Sequence, residues 1–121
     1  MKVLIVDDEV DLAETLARFL GRFGYGCMTA LNVQKAIDLI IQNYPDLVIT
    51  DYRLPDGDGF EVIKHVQQTL PQRPVIFMTG YHDPRLEQAA RTAGAADYLR
   101  KPFTLAALTT AVQTALKTYR P

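Results

Sequence analysis

Three aspartates, Asp51, Asp56 and Asp58, fall within eight positions of the stretch ITDYRLPDGDGF, residues 49–60, with Pro55, Gly57 and Gly59 among them. Carboxylates this close can bind a cation, supply a nucleophile, or turn the chain and start a helix. Calcium is the first chemistry to test. A helix–loop–helix calcium loop needs acids or amides at its first, third and fifth positions, glycine at the sixth and glutamate at the twelfth. With Gly59 sixth, Leu54 is first and His65 twelfth; with Gly57 sixth, Tyr52 is first and Leu54 third. Both registers fail, so the three acids take separate parts. Asp51 closes the apolar run LVIT (47–50) and is the candidate for chemistry. Asp56 serves the turn after Pro55. Asp58 caps the helix that follows, and Glu61 three residues on completes a capping-box pair.

Asp51 acquires meaning from the elements that position it. The short apolar runs VLIV (3–6), YGCMTA (25–30), LVIT (47–50), VIFM (75–78) and AADYL (95–99) alternate with helical stripes. Nearly continuous apolar runs suit strands of a parallel sheet covered on both faces. The stripes are Leu12, Leu16, Phe19, Leu20 and Phe23; Val33, Ile37, Ile40 and Ile41; Phe60, Ile63, Val66 and Leu70; a thinner, alanine-rich set of Leu86, Ala89, Ala90 and Ala93; and Leu105, Leu108, Val112 and Leu116. All read as core. Asn32, Asp58, Asp83 and Thr104 stand at cap positions, Pro84 follows Asp83 at a first helical position, and Gly21, Gly24 and Gly94 lie at or after helix ends. The order βαβαβαβαβα with right-handed crossovers gives an open α/β parallel sheet with helices on both faces. The site of such a fold lies beyond the carboxyl ends of its strands.

Asp7, Asp8 and Glu9 follow the first strand, Asp51 ends the third, Thr79 and Gly80 end the fourth, and Lys101 and Pro102 follow the fifth. The second strand offers only Thr29 to Asn32 and reads as an edge. Each residue alone has a plainer role: Asp7 and Asp8 as caps, Thr79 as a β-branched strand end, Lys101 as a solvated side chain. The conjunction points elsewhere. Converging carboxylates repel, and one must take up a proton unless a cation intervenes. Hard oxygen donors at an open rim favour Mg²⁺, which uses one or two carboxylates, keeps several waters and accepts a phosphoryl oxygen. A metal, a nucleophilic carboxylate, a hydroxyl and a lysine describe phosphoryl transfer onto aspartate. Mg²⁺, Lys101, and the Thr79 hydroxyl with nearby backbone N–H groups would each meet one equatorial oxygen.

Bulk properties narrow the setting. A chain of 121 residues is expected to form one domain, 1–121, with no output domain expected within it after the fifth helix. Its net charge of -1 offers no footprint for nucleic acid or an acidic membrane. Cys27 is alone, which excludes an internal disulfide and a cysteine-based zinc site and points to a reducing compartment. No apolar run approaches the roughly 18 residues of a membrane span, and MKVLIVDDE turns acidic too early for a signal peptide. A cytoplasmic location is expected.

Four motifs in order, IVDDE (5–9), ITDYRLPDGDG (49–59), FMTG (77–80) and DYLRKPF (97–103), resemble the receiver domain of two-component response regulators over essentially the whole chain. The resemblance implies a flavodoxin-like, doubly wound (βα)5 fold with strand order 2-1-3-4-5. It implies that Asp51 accepts a phosphoryl group from a sensor histidine kinase or a histidine phosphotransfer protein. Asp7 and Asp8 would hold Mg²⁺ with Asp51, and the backbone carbonyl of Arg53 would complete the protein ligands. Thr79 and Lys101 would pair with the phosphoryl group, and the Lys101–Pro102 bond would be cis. Tyr98 matches the aromatic switch position, its ring turning inward when Thr79 shifts. The conformation of the fourth helix, fifth strand and fifth helix would report the change to a downstream target, and that face is a candidate for homodimerisation. The domain would be a signalling switch and not an enzyme, its chemistry confined to its own phosphorylation and autodephosphorylation. Arg53 and Tyr81 would flank the path of attacking water, and His82 reads as a solvated loop residue.

Three rival readings remain. A haloacid-dehalogenase-like, Mg²⁺-dependent phosphatase also uses an aspartyl phosphate, but resembles an Asp-x-Asp pattern where this chain has adjacent Asp7 and Asp8, with no substrate cap encoded. A flavodoxin-like mononucleotide binder needs a phosphate cradle where VDDEVD is acidic. A degenerate receiver acting as a scaffold would not need all five pocket residues.

Overall fold

The computed structural model describes residues 1–119. Five parallel strands, β1 (Lys2–Val6), β2 (Gly26–Ala30), β3 (Leu47–Asp51), β4 (Val75–Thr79) and β5 (Asp97–Arg100), form one sheet in the order β2-β1-β3-β4-β5. Between and after them run α1 (Val10–Gly21), α2 (Val33–Asn43), α3 (Gly59–Thr69), α4 (Pro84–Ala93) and α5 (Leu105–Thr118). The expected fold and strand order are both observed. A two-residue antiparallel ladder, Arg53–Leu54 against Gly57–Asp58, is added between β3 and α3.

The apolar runs form strands because both sheet faces are covered. Successive residues of a strand point to opposite faces. Leu4, Val6, Val48, Val75, Phe77 and Tyr98 pack against α2, α3 and α4. Val3, Ile5, Leu47, Ile49, Ile76, Met78 and Leu99 pack against α1 and α5. Carried to the strand ends, this alternation assigns Asp7, Asp51 and Lys101 to the α1/α5 side. It assigns Thr79 to the side of Tyr98 and α4. Register does the rest: Val6 pairs with Thr50, Asp51 with Met78 and Thr79 with Arg100. Asp7 therefore emerges beside Asp51, and Lys101 beside Thr79.

All four expected caps form. Asn32 accepts from Lys35 N–H, Asp58 from Phe60 and Glu61 N–H, Asp83 from Arg85 N–H and Thr104 from Ala107 N–H. Gly94 ends α4 in the left-handed conformation. Neither Asp7 nor Asp8 caps α1; the N-cap is Glu9, whose side chain makes no cap bond. The Glu61 carboxylate lies over Gly57, where an added Cβ would meet it at 2.6 Å. Four stripe positions, Phe23, Ile41, Ala89 and Leu105, are exposed. Phe23 lies past the end of α1 and stacks edge-on against Phe19 at 5.2 Å. Ile41 follows buried Ile40 and lies about 100° further round α2, on the side that faces water. Leu105 begins α5 at the rim. Among the described residues no helix is long and apolar enough to cross a membrane.

The start of α3 presses on the end of β3. Gly59 N–H donates to Tyr52 O at 2.8 Å. A Cβ at Gly59 would stand 2.7 Å from the Asp51 carbonyl oxygen and 2.8 Å from the Phe77 ring. Gly59→Ala should therefore destabilise the fold by about 1–3 kcal/mol, as overpacking does, measured by urea unfolding. Unchanged stability would show that the helix start can slide away from Asp51.

Candidate functional site

At the carboxyl ends of β1, β3 and β5, two buried carboxylates share one ammonium. The Lys101 Nζ lies 2.8 Å from Asp7 Oδ2 and 3.1 Å from Asp51 Oδ2, with Glu9 Oε1 at 3.4 Å. The remaining oxygen of each aspartate is held by backbone: Asp7 Oδ1 accepts from Glu9 N–H at 2.9 Å and Asp51 Oδ1 from Tyr52 N–H at 2.8 Å. Asp7 is fully buried and Asp51 is 8% exposed. Asp8 is exposed. One carboxylate oxygen from each of Asp7, Asp8 and Asp51 falls within 4.8 Å of the others. This all-oxygen donor set, fixed by strand ends and open to water at Asp8, fits a hard divalent cation.

Burial pushes the Asp51 carboxyl above its ordinary value, the Lys101 charge pulls it back, and the Asp7 carboxylate adds to the rise. Burial also pulls the Lys101 ammonium down, but its hydrogen bond to Asp7 and the charges of Asp51 and Asp7 outweigh that and leave it above its ordinary value. The lysine is thus firmly charged and already occupies the position of a cation among the acids. Lys101–Pro102 is cis, and Lys101 N–H donates to Thr79 O at 2.8 Å.

A shallow cleft of about 300 Å³ over Asp51 is lined by Glu9, Arg53, Thr79, Gly80, Tyr81 and Lys101. Arg53 places its guanidinium 5.1 Å from the Tyr81 ring and 5.8 Å from that of Tyr52. Thr79 is buried, and its Oγ1 accepts from Tyr81 N–H at 3.0 Å. The Tyr98 hydroxyl donates to Tyr81 O at 3.4 Å. The Tyr81 backbone is therefore gripped at both ends, its N–H by Thr79 and its carbonyl by Tyr98. Tyr98 lies behind the cleft, 8% exposed and stacked on Phe77 at 6.5 Å. Its ring is already inward while Thr79 is bonded to Tyr81 N–H, whereas the family resemblance implies an inward ring only once Thr79 has shifted. His82 is exposed, and its Nε2 donates to Lys101 O at 3.2 Å, which places the proton on that nitrogen because a carbonyl only accepts.

Asp7, Asp51 and Lys101 are thus in direct contact, Thr79 and Arg53 line the same cleft, Asp8 completes the acidic trio, and Tyr98 stands one residue removed. Glu9 is a further partner of Lys101, a contact that its place after Asp7 and Asp8 does not by itself reveal.

The family model for the response regulator receiver domain matches residues 3–113. Response regulator protein PilR of Pseudomonas aeruginosa is 42% identical over 120 residues, which cover 99% of this chain and 27% of PilR. The chain thus spans about a quarter of that relative. The non-phosphorylated HemR receiver domain from Leptospira biflexa matches with a TM-score of 0.91 at 30% identity, covering 99% of this chain and 97% of that one. The beryllofluoride-activated NtrC4 receiver domain dimer matches with a TM-score of 0.93 at 29% identity over 98% of both chains.

Without Lys101, Asp7 and Asp51 would face each other with no counter-charge. Lys101→Met should cost the metal-free protein about 3 kcal/mol, the low end for breaking a buried pair, because 15% of the lysine side chain reaches water. Divalent salt should restore part of the loss. Urea unfolding with and without Mg²⁺ reads both effects, and equal stability of parent and variant would contradict them.

Proposed function

The chain belongs to the family of response regulator receiver domains, phosphorylation-activated switches of two-component signalling, and from that membership we propose that Asp51 is its phosphoryl acceptor. The observation that carries the reading is the Lys101 ammonium bonded to both Asp7 and Asp51 at the mouth of a shallow cleft. Lys101 marks where negative charge is to be received, and Asp51 is the buried carboxylate that opens onto that cleft.

The donor is the phosphohistidine of a sensor histidine kinase or histidine phosphotransfer protein. An Asp51 carboxylate oxygen attacks phosphorus as the P–N bond breaks, and the imidazole leaves with the electron pair. Lys101 exchanges a carboxylate oxygen for a phosphoryl oxygen. The Thr79 hydroxyl, which now accepts from Tyr81 N–H, turns to donate its own proton to another. Asp7, Asp8, Asp51 and the Arg53 backbone carbonyl are the groups that would hold Mg²⁺. When bound, that ion offsets the charge of the crowded carboxylates and the transferring group.

The movement of Thr79 is felt through the Tyr81 backbone, which it holds together with Tyr98. The α4 helix, with only Leu86 and Ala90 buried, has little packing to lose. Phosphorylation then favours a conformer of the α4–β5–α5 face in proportion to its differential stabilisation. The beryllofluoride-activated NtrC4 receiver is a dimer, and in this chain the α4–β5–α5 face is the one proposed to pair two phosphorylated copies. The output passes to a protein target or a linked output domain in the cytoplasm, with no contact to nucleic acid or membrane by the receiver itself. Its own phosphorylation and autodephosphorylation are its only chemistry.

Incubation with acetyl phosphate and Mg²⁺ should give a phosphoryl adduct by intact mass that Asp51→Asn abolishes; no adduct from a small donor or a kinase would overturn the assignment. Thr79→Ala should keep the adduct yet lose most of the amide shift changes in α4 that phosphorylation causes in the parent. Undiminished α4 shifts in that variant would remove Thr79 from the relay.

A further inference from the structure

Asp56 does more than turn the chain. Its carboxylate leaves the loop after β3 and reaches the first turn of α2, where Oδ1 accepts from Val33 N–H at 2.7 Å and Oδ2 from Gln34 N–H at 3.0 Å. The helix already has a local cap, Asn32, which takes the next donor, Lys35 N–H, at 2.8 Å. Three successive donors of α2 are thus satisfied, two of them by a residue 22 and 23 positions away in sequence. The Val33 N–H above all, joined by the Gln34 N–H, holds the Asp56 carboxyl below its ordinary range and outweighs the opposing effect of burial.

The loop bound in this way carries the acceptor site. Asp56 lies in the turn of the Arg53–Leu54 and Gly57–Asp58 ladder. Leu54 is buried in the core beneath α2 and α3. Gly59 N–H closes the base of the ladder on Tyr52 O at 2.8 Å. Base and core contact leave the tip of the ladder to be fixed by Asp56. Arg53, whose carbonyl is the backbone ligand of the proposed function, sits on that ladder two residues from Asp51.

Resting on that reading, we propose that Asp56 is a positioning residue for the acceptor site: by gripping the N-terminus of α2 it fixes the ladder that presents the Arg53 carbonyl, and so sets the affinity of the acidic cluster for its divalent cation. Outer partners that orient ligands act in this way, and losing one typically weakens metal binding about 10–100-fold.

Asn32 supplies the control, because it caps the same helix end without touching the loop. Asp56→Ala and Asn32→Ala should lower the urea midpoint by similar amounts. Titration with Mg²⁺ followed by amide chemical shifts should give binding about tenfold weaker in Asp56→Ala and unchanged in Asn32→Ala. Parent-like Mg²⁺ affinity in Asp56→Ala would overturn the role of Asp56 alone. Equal weakening in both variants would also overturn it, by tracing the effect to the stability of α2. A parent protein that binds no Mg²⁺ would overturn the acceptor reading and this inference with it.

Discussion

Asp7 and Asp51 lie buried side by side at the ends of adjacent parallel strands, and the Lys101 ammonium between them makes that burial tolerable. Isolated buried charges are costly; paired and hydrogen-bonded ones are not prohibitive. Each carboxylate here spends one oxygen on a backbone N–H and the other on the lysine, so neither is left unpartnered. Much of the fold serves this arrangement. Parallel pairing brings like ends of β1, β3 and β5 to one rim, and the alternation along each strand sends Asp7, Asp51 and Lys101 to the same side. An antiparallel partner in any of these places would break the meeting.

The same alternation separates the site into two layers with different work. The acids and the lysine face α1 and α5, while Thr79 and Tyr98 face α4. The Tyr81 backbone joins the layers, its N–H held by Thr79 and its carbonyl by Tyr98. A change of hydrogen-bond partner at Thr79 is therefore one residue of backbone and one hydrogen bond away from Tyr98, which stacks on Phe77. The Arg53 guanidinium over the Tyr81 ring ties the acceptor loop to the same residue from the other side.

Much of this was readable in the sequence because it depends on local pattern. Continuous apolar runs announced strands buried on both faces, and Asn32, Asp58, Asp83 and Thr104 announced helix starts that all formed. The pattern and the core part where a periodic stripe runs past its element, as at Phe23, or where the stripe is wider than the face the sheet covers, as at Ile41. The acids after β1 and β3 could be assigned to one rim because strand ends are positions in a topology. Glu9 joining Lys101, and Asp56 reaching Val33 and Gln34, could not be read in the same way. Both depend on how a loop folds back across the molecule, and no periodicity encodes that. Tyr98 differed for another reason: its residue type identified an aromatic beside Thr79, while its inward position follows from packing on Phe77.

Three aspartates crowd the loop after β3, and the account rests on only Asp51 carrying the phosphoryl group while Asp56 and Asp58 hold helix ends. Borohydride reduction of the phosphorylated protein converts an aspartyl phosphate to homoserine, and peptide mass mapping then locates it. Homoserine at position 51 alone is the predicted result. Homoserine at 7, 8, 56 or 58, with Asp51 intact, would contradict the account.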